Sequence, residues 1–268
     1  MSVFIGCTPI LSIDASTQSV YHFSDTDKNI SLLDISETFG TYDGSFVLYD
    51  NNLDSWKIYD LEEATKRIPP ESTYKIYDAL LGLESGIITP EHSSMTWNGD
   101  AFPFPSWEAD QDLNSAMQNS VNWYFQAIDS QLGINRVQEF LNKIEYGNQT
   151  TSSNLDLYWS DFSLKISPLE QVTLLKKFNT NEFHLNSQNV FSVKNAIKIA
   201  STPNGNFYGK TGTGRVNGQD INGWFIGYVE TSDNSYYFAT NIQSDSNATG
   251  KKAFKITSDI LKKLHIWN

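Results

Sequence analysis

The stretch NFYGKTGTGRVNGQDINGWFIGYVETSDNSYYFATNIQ, residues 206–243, contains three runs of aromatic and β-branched residues separated by short polar turns. The runs cover residues 207–213, 223–230 and 236–242. Strands that follow one another through turns this short pair as antiparallel hairpins. The stretch therefore predicts the centre of an antiparallel sheet.

Segments on both sides of this stretch complete the predicted fold. Two further strands are predicted at 44–49 and 56–59, around a polar turn. The C-terminal segment predicts an amphipathic helix whose apolar residues share one face: Ala253, Ile256, Ile260, Leu261 and Leu264. We therefore predict an α+β fold (α/β two-layer type), in which an antiparallel β-sheet built from both ends of the chain is flanked by helices and carries a helical subdomain.

The helical part is predicted at roughly residues 107–185, with one earlier helix. Apolar residues recur at helical spacing over 74–83, and Gly86 is placed to end that helix. A single apolar stripe covers 113–132 and a second covers 137–144. Ser167-Pro168-Leu169-Glu170 combines an N-cap serine, proline at the first helical position and glutamate at the third, which predicts a helix start.

Composition limits the classes of partner. The 268-residue chain has 19 Lys and Arg against 31 Asp and Glu, a formal net charge of −12, which argues against nucleic acid as a partner. The single cysteine, Cys7, excludes an internal disulfide, and the scattered histidines predict no metal site. We predict a juxtamembrane leader and linker at residues 1–36, and one domain at 37–268.

Ser72-Thr73-Tyr74-Lys75 lies at the start of the helix predicted at 74–83. A serine and a lysine three residues apart share a helix face, so the amine can reach the hydroxyl. Serine is a poor nucleophile until a base takes its proton, and a lysine of lowered pKa can do so. Alone, the motif also fits a helix-capping Ser72 and a solvated Lys75.

A second motif, Lys210-Thr211-Gly212, lies in the first predicted strand of the quoted stretch. A cation, a hydroxyl group and a glycine that lets a ligand approach the backbone together suit a bound carboxylate. The combination of S-x-x-K on a long helix with K-T-G on a late strand of an antiparallel sheet is that of penicillin-recognising serine enzymes.

From about residue 44 to its C-terminus the chain resembles the class D β-lactamases. Tyr146-Gly147-Asn148 matches their Y-G-N motif, Trp159 falls where they keep a tryptophan, and Ser120 falls on the serine of their S-x-V motif. The resemblance implies a serine β-lactamase/penicillin-binding transpeptidase-like fold, with the active-site serine between sheet and helical subdomain.

The resemblance also implies catalytic roles. Ser72 would be the nucleophile, and Lys75, carboxylated by CO2, the general base, with no other cofactor expected. Ser120 would relay a proton toward the leaving β-lactam nitrogen. Lys210 and Thr211 would hold the substrate carboxylate.

Further matched residues would bind the substrate or the carbamate. The backbone N–H groups of Ser72 and Thr213 would form an oxyanion hole, with Gly212 beside them on the strand. Trp159 would donate its indole N–H to the carbamate on Lys75.

Within this group the chain resembles the extracellular penicillin-binding sensor domain of BlaR/MecR-type β-lactam receptors, in residues 44–49, 120–125 and 223–227. The resemblance implies that β-lactam antibiotics are the ligands. It also implies a membrane part and a zinc-protease part of the same receptor as partners, with this domain on the extracellular face of the cell membrane.

Position 122 departs from the class D pattern, because S-x-V requires valine and the chain has Asn122. A carbamate forms only on a neutral amine, and an amide oxygen beside Lys75 would favour the ammonium form instead. We therefore predict a sensor that is acylated at Ser72 and deacylates very slowly. Two alternatives stay open: a class D β-lactamase with turnover, and a D,D-peptidase, since Ser120-Val121-Asn122 reads S-x-N.

Overall fold

The structure is a computed structural model, and it describes residues 29–268. Its centre is a seven-stranded sheet with the order β1-β3-β2-β7-β6-β5-β4. The strands are β1 (Ile30–Leu32), β2 (Asp43–Asp50), β3 (Ser55–Tyr59), β4 (Lys198–Thr202), β5 (Gly205–Val216), β6 (Gln219–Glu230) and β7 (Ser235–Gln243). The predicted leader lies largely outside the described residues.

The three predicted central strands are confirmed as β5, β6 and β7, which pair antiparallel. β7 then pairs antiparallel with β2, so that both ends of the chain build one sheet, as predicted. The sheet is not wholly antiparallel, because β1 pairs parallel with β3. β1 also lies inside the segment predicted as linker, so the sheet begins before residue 36.

Nine helices flank the sheet in the part of the chain that the structure describes. They are α1 (Ser36–Phe39), α2 (Leu61–Thr65), α3 (Lys75–Glu84), α4 (Leu113–Gln118), α5 (Asn122–Leu132), α6 (Ile134–Ile144), α7 (Pro168–Asn179), α8 (Ser187–Ala196) and α9 (Gly250–Lys263). Successive residues of β6 face opposite sides: Phe225 packs in the core under α9, and Ile226 packs in the core shared with the helical subdomain. The sheet therefore lies between two apolar layers.

The helix starting at Ser167 is confirmed, with a reciprocal capping box between Ser167 and Glu170. The stripe over 113–132 is not one helix, however. α4 ends at Gln118 and α5 begins at Asn122, with Ser120 between them in the left-handed region at φ 55°. Both helices keep their apolar residues on the core side, so the periodicity alone did not reveal the break. Within residues 29–268 no helix is long and apolar enough to span a bilayer.

Candidate active site

Ser72 lies in a 3₁₀ turn, Glu71–Tyr74, that leads directly into α3. Its hydroxyl accepts a hydrogen bond from the Lys75 Nζ at 2.8 Å. The Ser72 side chain does not cap α3, because the residue at the N-cap is Tyr74. The turn thus brings the serine and the lysine into the contact that their spacing predicted.

The break between α4 and α5 places two more predicted residues on the Lys75 amine. Its Nζ donates to the Ser120 carbonyl oxygen at 3.1 Å and to the Asn122 Oδ1 at 2.5 Å. An ammonium group has three N–H bonds, and Ser72, Ser120 and Asn122 supply three acceptors for them. The hydrogen bond predicted from the amine to Asn122 is therefore present, and it favours the charged amine.

Lys210 reaches the same point from β5. Its Nζ donates to the Ser120 Oγ at 2.9 Å and to the Thr211 carbonyl oxygen at 3.0 Å. The Ser120 Oγ also lies 3.4 Å from the Nζ of Lys75. The Ser120 hydroxyl thus lies between two amines.

Both lysines are buried, which makes their charged forms costly. Burial holds the pKa of Lys75 well below its usual range, and the nearby Lys210 lowers it further, whereas Asp78 and Glu71 act in the opposite direction. Burial alone lowers the pKa of Lys210 to about 7. Lys75 is thus poised between a neutral amine, favoured by burial, and an ammonium ion, favoured by its acceptors.

A cleft of about 430 Å³ opens over the Ser72 hydroxyl. Strand β5 forms one wall with Thr211, Gly212 and Thr213. A Cβ on Gly212 would lie 3.0 Å from the Glu71 Cβ and 3.3 Å from the Ser72 N, so glycine lets the strand pack against the nucleophile turn. The K-T-G residues therefore lie beside Ser72, where a bound substrate would contact both.

Trp159 is buried beneath the turn rather than in the cleft. Its ring stacks on Tyr74 with 6.1 Å between centroids, and its carbonyl oxygen accepts the Glu71 backbone N–H. Among residues 29–268 its indole N–H has no hydrogen-bond acceptor. Tyr146 of the Y-G-N motif is fully buried against Tyr74 and Tyr77, which is a packing role.

Several cleft residues were not found from the sequence. Phe104 and Trp107 line the cleft opposite β5, in a stretch without helical or strand periodicity. The Trp107 indole donates to the Asn119 carbonyl oxygen at the end of α4, which fixes the aromatic wall to the helix break. The cluster of aromatic residues and prolines at 102–107 is the one sequence signal that could have indicated this wall.

Glu71 is a second residue that the sequence analysis missed. Burial raises its pKa to about 8, although a hydrogen bond from Asn222 acts against the shift. The glutamate joins the nucleophile turn to β6.

In the described chain, no group of three or more His, Cys, Asp or Glu side chains could hold a metal ion.

Comparison with known proteins identifies the relatives of this arrangement. The family model "Penicillin binding protein transpeptidase domain" matches residues 40–262. The regulatory protein BlaR1 of Bacillus licheniformis is 44% identical over 100% of this chain and 44% of its own length. The solved C-terminal domain of the Bacillus licheniformis BlaR penicillin-receptor superposes with a TM-score of 0.87 at 45% identity, covering 90% of this chain and 98% of that one.

An enzyme-like relative matches as well. The probable β-lactamase YbxI of Bacillus subtilis is 37% identical over 88% of this chain and 86% of its own length. The chain thus spans less than half the length of the regulatory relative, and most of the length of the β-lactamase relative.

Proposed function

Because the chain belongs to the family of penicillin-binding protein transpeptidase domains, and within it to the class D β-lactamase-like BlaR/MecR sensor group, we propose that it is a β-lactam receptor domain. Its Ser72 is acylated by the antibiotic and deacylates very slowly, so that the covalent complex is the signal for resistance. The observation that carries this proposal is the 2.5 Å hydrogen bond from Lys75 to Asn122. That bond favours an ammonium ion where a hydrolase needs a base.

Acylation follows from the contacts of the cleft. The Ser72 Oγ attacks the β-lactam carbonyl carbon as its proton passes toward Lys75, and the ring C–N bond breaks. Ser120, hydrogen-bonded to Lys210, returns a proton to the leaving nitrogen. Lys210 and Thr211 hold the substrate carboxylate, and the N–H groups of Ser72 and Thr213 hold the oxyanion.

The residues around Lys75 fit a carbamate in the free protein. The amine is buried and its pKa is strongly lowered, which favours the neutral form that takes up CO2. The indole N–H of Trp159 is a donor without an acceptor in the described chain. A carbamate on Lys75 would supply the general base for acylation. Asn122 and Ser120 compete for the same amine as acceptors.

The proposal also concerns the receptor as a whole. The regulatory relative is more than twice as long as the matched region. We infer that the parent protein places this domain on the extracellular face of the cell membrane, joined to a membrane part and a zinc-protease part that act as its partners.

The test is intact-mass analysis after incubation with benzylpenicillin. We expect one adduct per protein, mapped to the peptide that contains Ser72, and none on Ser72→Ala. Ser106→Ala is the matched control, since Ser106 also lines the cleft but is not among the hydrogen-bond partners of Lys75. An adduct that persists in Ser72→Ala, or no adduct on the unaltered protein, contradicts the proposal.

A class D β-lactamase with turnover is the second candidate, and the 37% identity to a probable β-lactamase favours it. Both candidates share acylation at Ser72 and differ in whether the acyl-serine is hydrolysed.

A further inference from the structure

Two carboxylic acids are buried directly behind the lysine of the active site. Asp78 follows Lys75 by three residues on α3, so both side chains lie on one helix face. Asp129 faces them from α5, which packs against α3. Both aspartates are completely buried. Neither touches the cleft, and the acylation steps described above do not use them.

The hydrogen bonds of this pair are incomplete if both acids are ionised. Neither oxygen of Asp78, nor the Oδ2 of Asp129, has a donor among residues 29–268. The Tyr158 hydroxyl donates to the Asp129 Oδ1 at 3.5 Å. An ionised carboxylate only accepts hydrogen bonds, so two ionised carboxylates side by side would leave buried acceptors without donors.

A proton on one acid supplies the missing donor. Burial raises the pKa of Asp78 well above its usual range, and the charge of Asp129 raises it further. Burial also raises the pKa of Asp129, while the hydrogen bonds from Tyr158 and from protonated Asp78 act against that shift. Both acids thus favour the protonated form, and a proton held between them gives one buried oxygen a donor.

We propose that Asp78 and Asp129 share one proton, and that the single negative charge of the pair stabilises the ammonium form of Lys75. Asp78 and Asp129 are positioning residues, since they act through Lys75 and do not touch the substrate. The inference rests on the proposed function and deepens it: Asn122 binds the ammonium ion from the cleft side, and the acid pair favours the same ion from the core side.

The negative charge of the pair repels the negative charge of a carbamate on Lys75. The pair therefore favours loss of CO2 once the serine is acylated. Other titratable groups around Lys75 and the pair come from four parts of the chain. They are Glu71, Tyr74 and Tyr77 in α3 and the turn before it, Tyr124 on α5, Tyr146, Tyr158 and Asp156 in the segment before α7, and Lys210 on β5. The tyrosine pKa values are raised by burial, so these hydroxyls stay neutral. Burial raises the pKa of Glu71 to about 8, so Glu71 adds a second buried anion only above that pH.

Amide substitutions distinguish a pair that shares one proton from a pair in which both acids are ionised or both are protonated. In Asp78→Asn the new amide donates to Asp129, and in Asp129→Asn it donates to Asp78, so each variant keeps one negative charge. The double variant Asp78→Asn/Asp129→Asn has none. Asp156→Asn is the matched control, because it removes a nearby but exposed charge.

The readout is the pH dependence of the acylation rate with benzylpenicillin, which follows the neutral fraction of Lys75. We expect both single variants and Asp156→Asn to keep the midpoint of the unaltered protein. In the double variant we expect a shift of about one unit or more toward lower pH, since loss of a nearby anion destabilises the ammonium ion. The inference is overturned if the double variant keeps the pH midpoint of the unaltered protein, or if the midpoint of a single variant shifts as far as that of the double variant.

An infrared measurement tests the shared proton without the double variant. At pH 9, we expect the difference spectrum between the unaltered protein and Asp78→Asn to show the carbonyl band of a protonated carboxylic acid, and the same for Asp129→Asn. The absence of that band overturns the inference. If benzylpenicillin does not acylate the unaltered protein, the proposed function is contradicted instead. The infrared result would still show whether the acid pair holds a proton.

Discussion

At the scale of single residues, the account depends on the charge of Lys75. Burial without compensation would keep this amine neutral. The structure surrounds it with the Ser72 hydroxyl, the Ser120 carbonyl oxygen and the Asn122 amide oxygen, all of which accept hydrogen bonds from an ammonium ion. A hydrogen bond to a charged group contributes about 1.5–3 kcal/mol, so one acceptor can raise the pKa of the Lys75 amine by about one or two.

Asn122→Val removes that acceptor and restores the S-x-V pattern. We expect deacylation of the penicilloyl protein to become about 10- to 100-fold faster, because loss of one charge-assisted hydrogen bond corresponds to that change in rate. Adduct lifetime measured by mass spectrometry after removal of the drug checks this. Asn119→Val, at the end of α4 in the same cleft, is expected to keep the original lifetime.

The residues of the site differ in how far the sequence could predict them. Ser72, Lys75 and Lys210 belong to recognisable motifs, and the structure brings both lysines to Ser120 and Ser72 to Lys75. Glu71 could not be predicted, because its hydrogen-bond partner Asn222 is 151 residues away along the chain. Phe104 and Trp107 were missed because a loop wall has no periodicity.

At the scale of elements, the turn before α3 and the strand β5 must fit closely. Glu71 takes the left-handed conformation at φ 53°, which carries Ser72 toward the strand. Gly212 lies opposite with no side chain to hold the two apart. The sequence identified both elements, but a contact between segments 140 residues apart follows only from the assembled sheet.

Gly212→Ala places a methyl group in this contact. We expect acylation by benzylpenicillin to slow at least 10-fold, since the Cβ would lie 3.0 Å from the Glu71 Cβ and displace the nucleophile turn. Stopped-flow acylation kinetics measure this. Gly86→Ala is the control: it substitutes a glycine at φ 70° with open space around it, so it tests loss of stability alone. Equal rates in Gly212→Ala and the unaltered protein would contradict the role of this contact.

The break between α4 and α5 explains why one predicted helix became two. Apolar residues continue across the break, from Met117 to Val121 and Phe125, because both helices pack on the same core. The interruption exposes the Ser120 carbonyl oxygen and hydroxyl and turns Asn122 toward Lys75. Tertiary contacts, rather than local propensity, determine this geometry.

At the scale of the whole molecule, the site lies where three separate parts of the chain meet. The turn before α3, the α4–α5 break and β5 each contribute residues, and the sheet built from both chain ends holds them in place. The fold class and sheet centre were predictable from hydrophobic periodicity. The parallel edge strand β1 was not, because three mostly exposed residues give no such pattern.

The groups around Lys75 come from different layers of the domain. The sheet supplies Lys210 from β5, and the turn before α3 supplies Ser72. The helices supply the remaining groups around Lys75: Ser120 and Asn122 at the α4–α5 break, Asp78 on α3 and Asp129 on α5.

The most direct test of slow deacylation is the number of benzylpenicillin molecules opened per protein molecule over several hours. We expect one equivalent of drug to be consumed, with the adduct on Ser72 persisting after free drug is removed. A deacylation barrier raised by about 7 kcal/mol corresponds to a rate about 10⁵-fold lower. Continued release of opened drug, with rapid return to the unmodified mass, would contradict the account and show a class D β-lactamase instead.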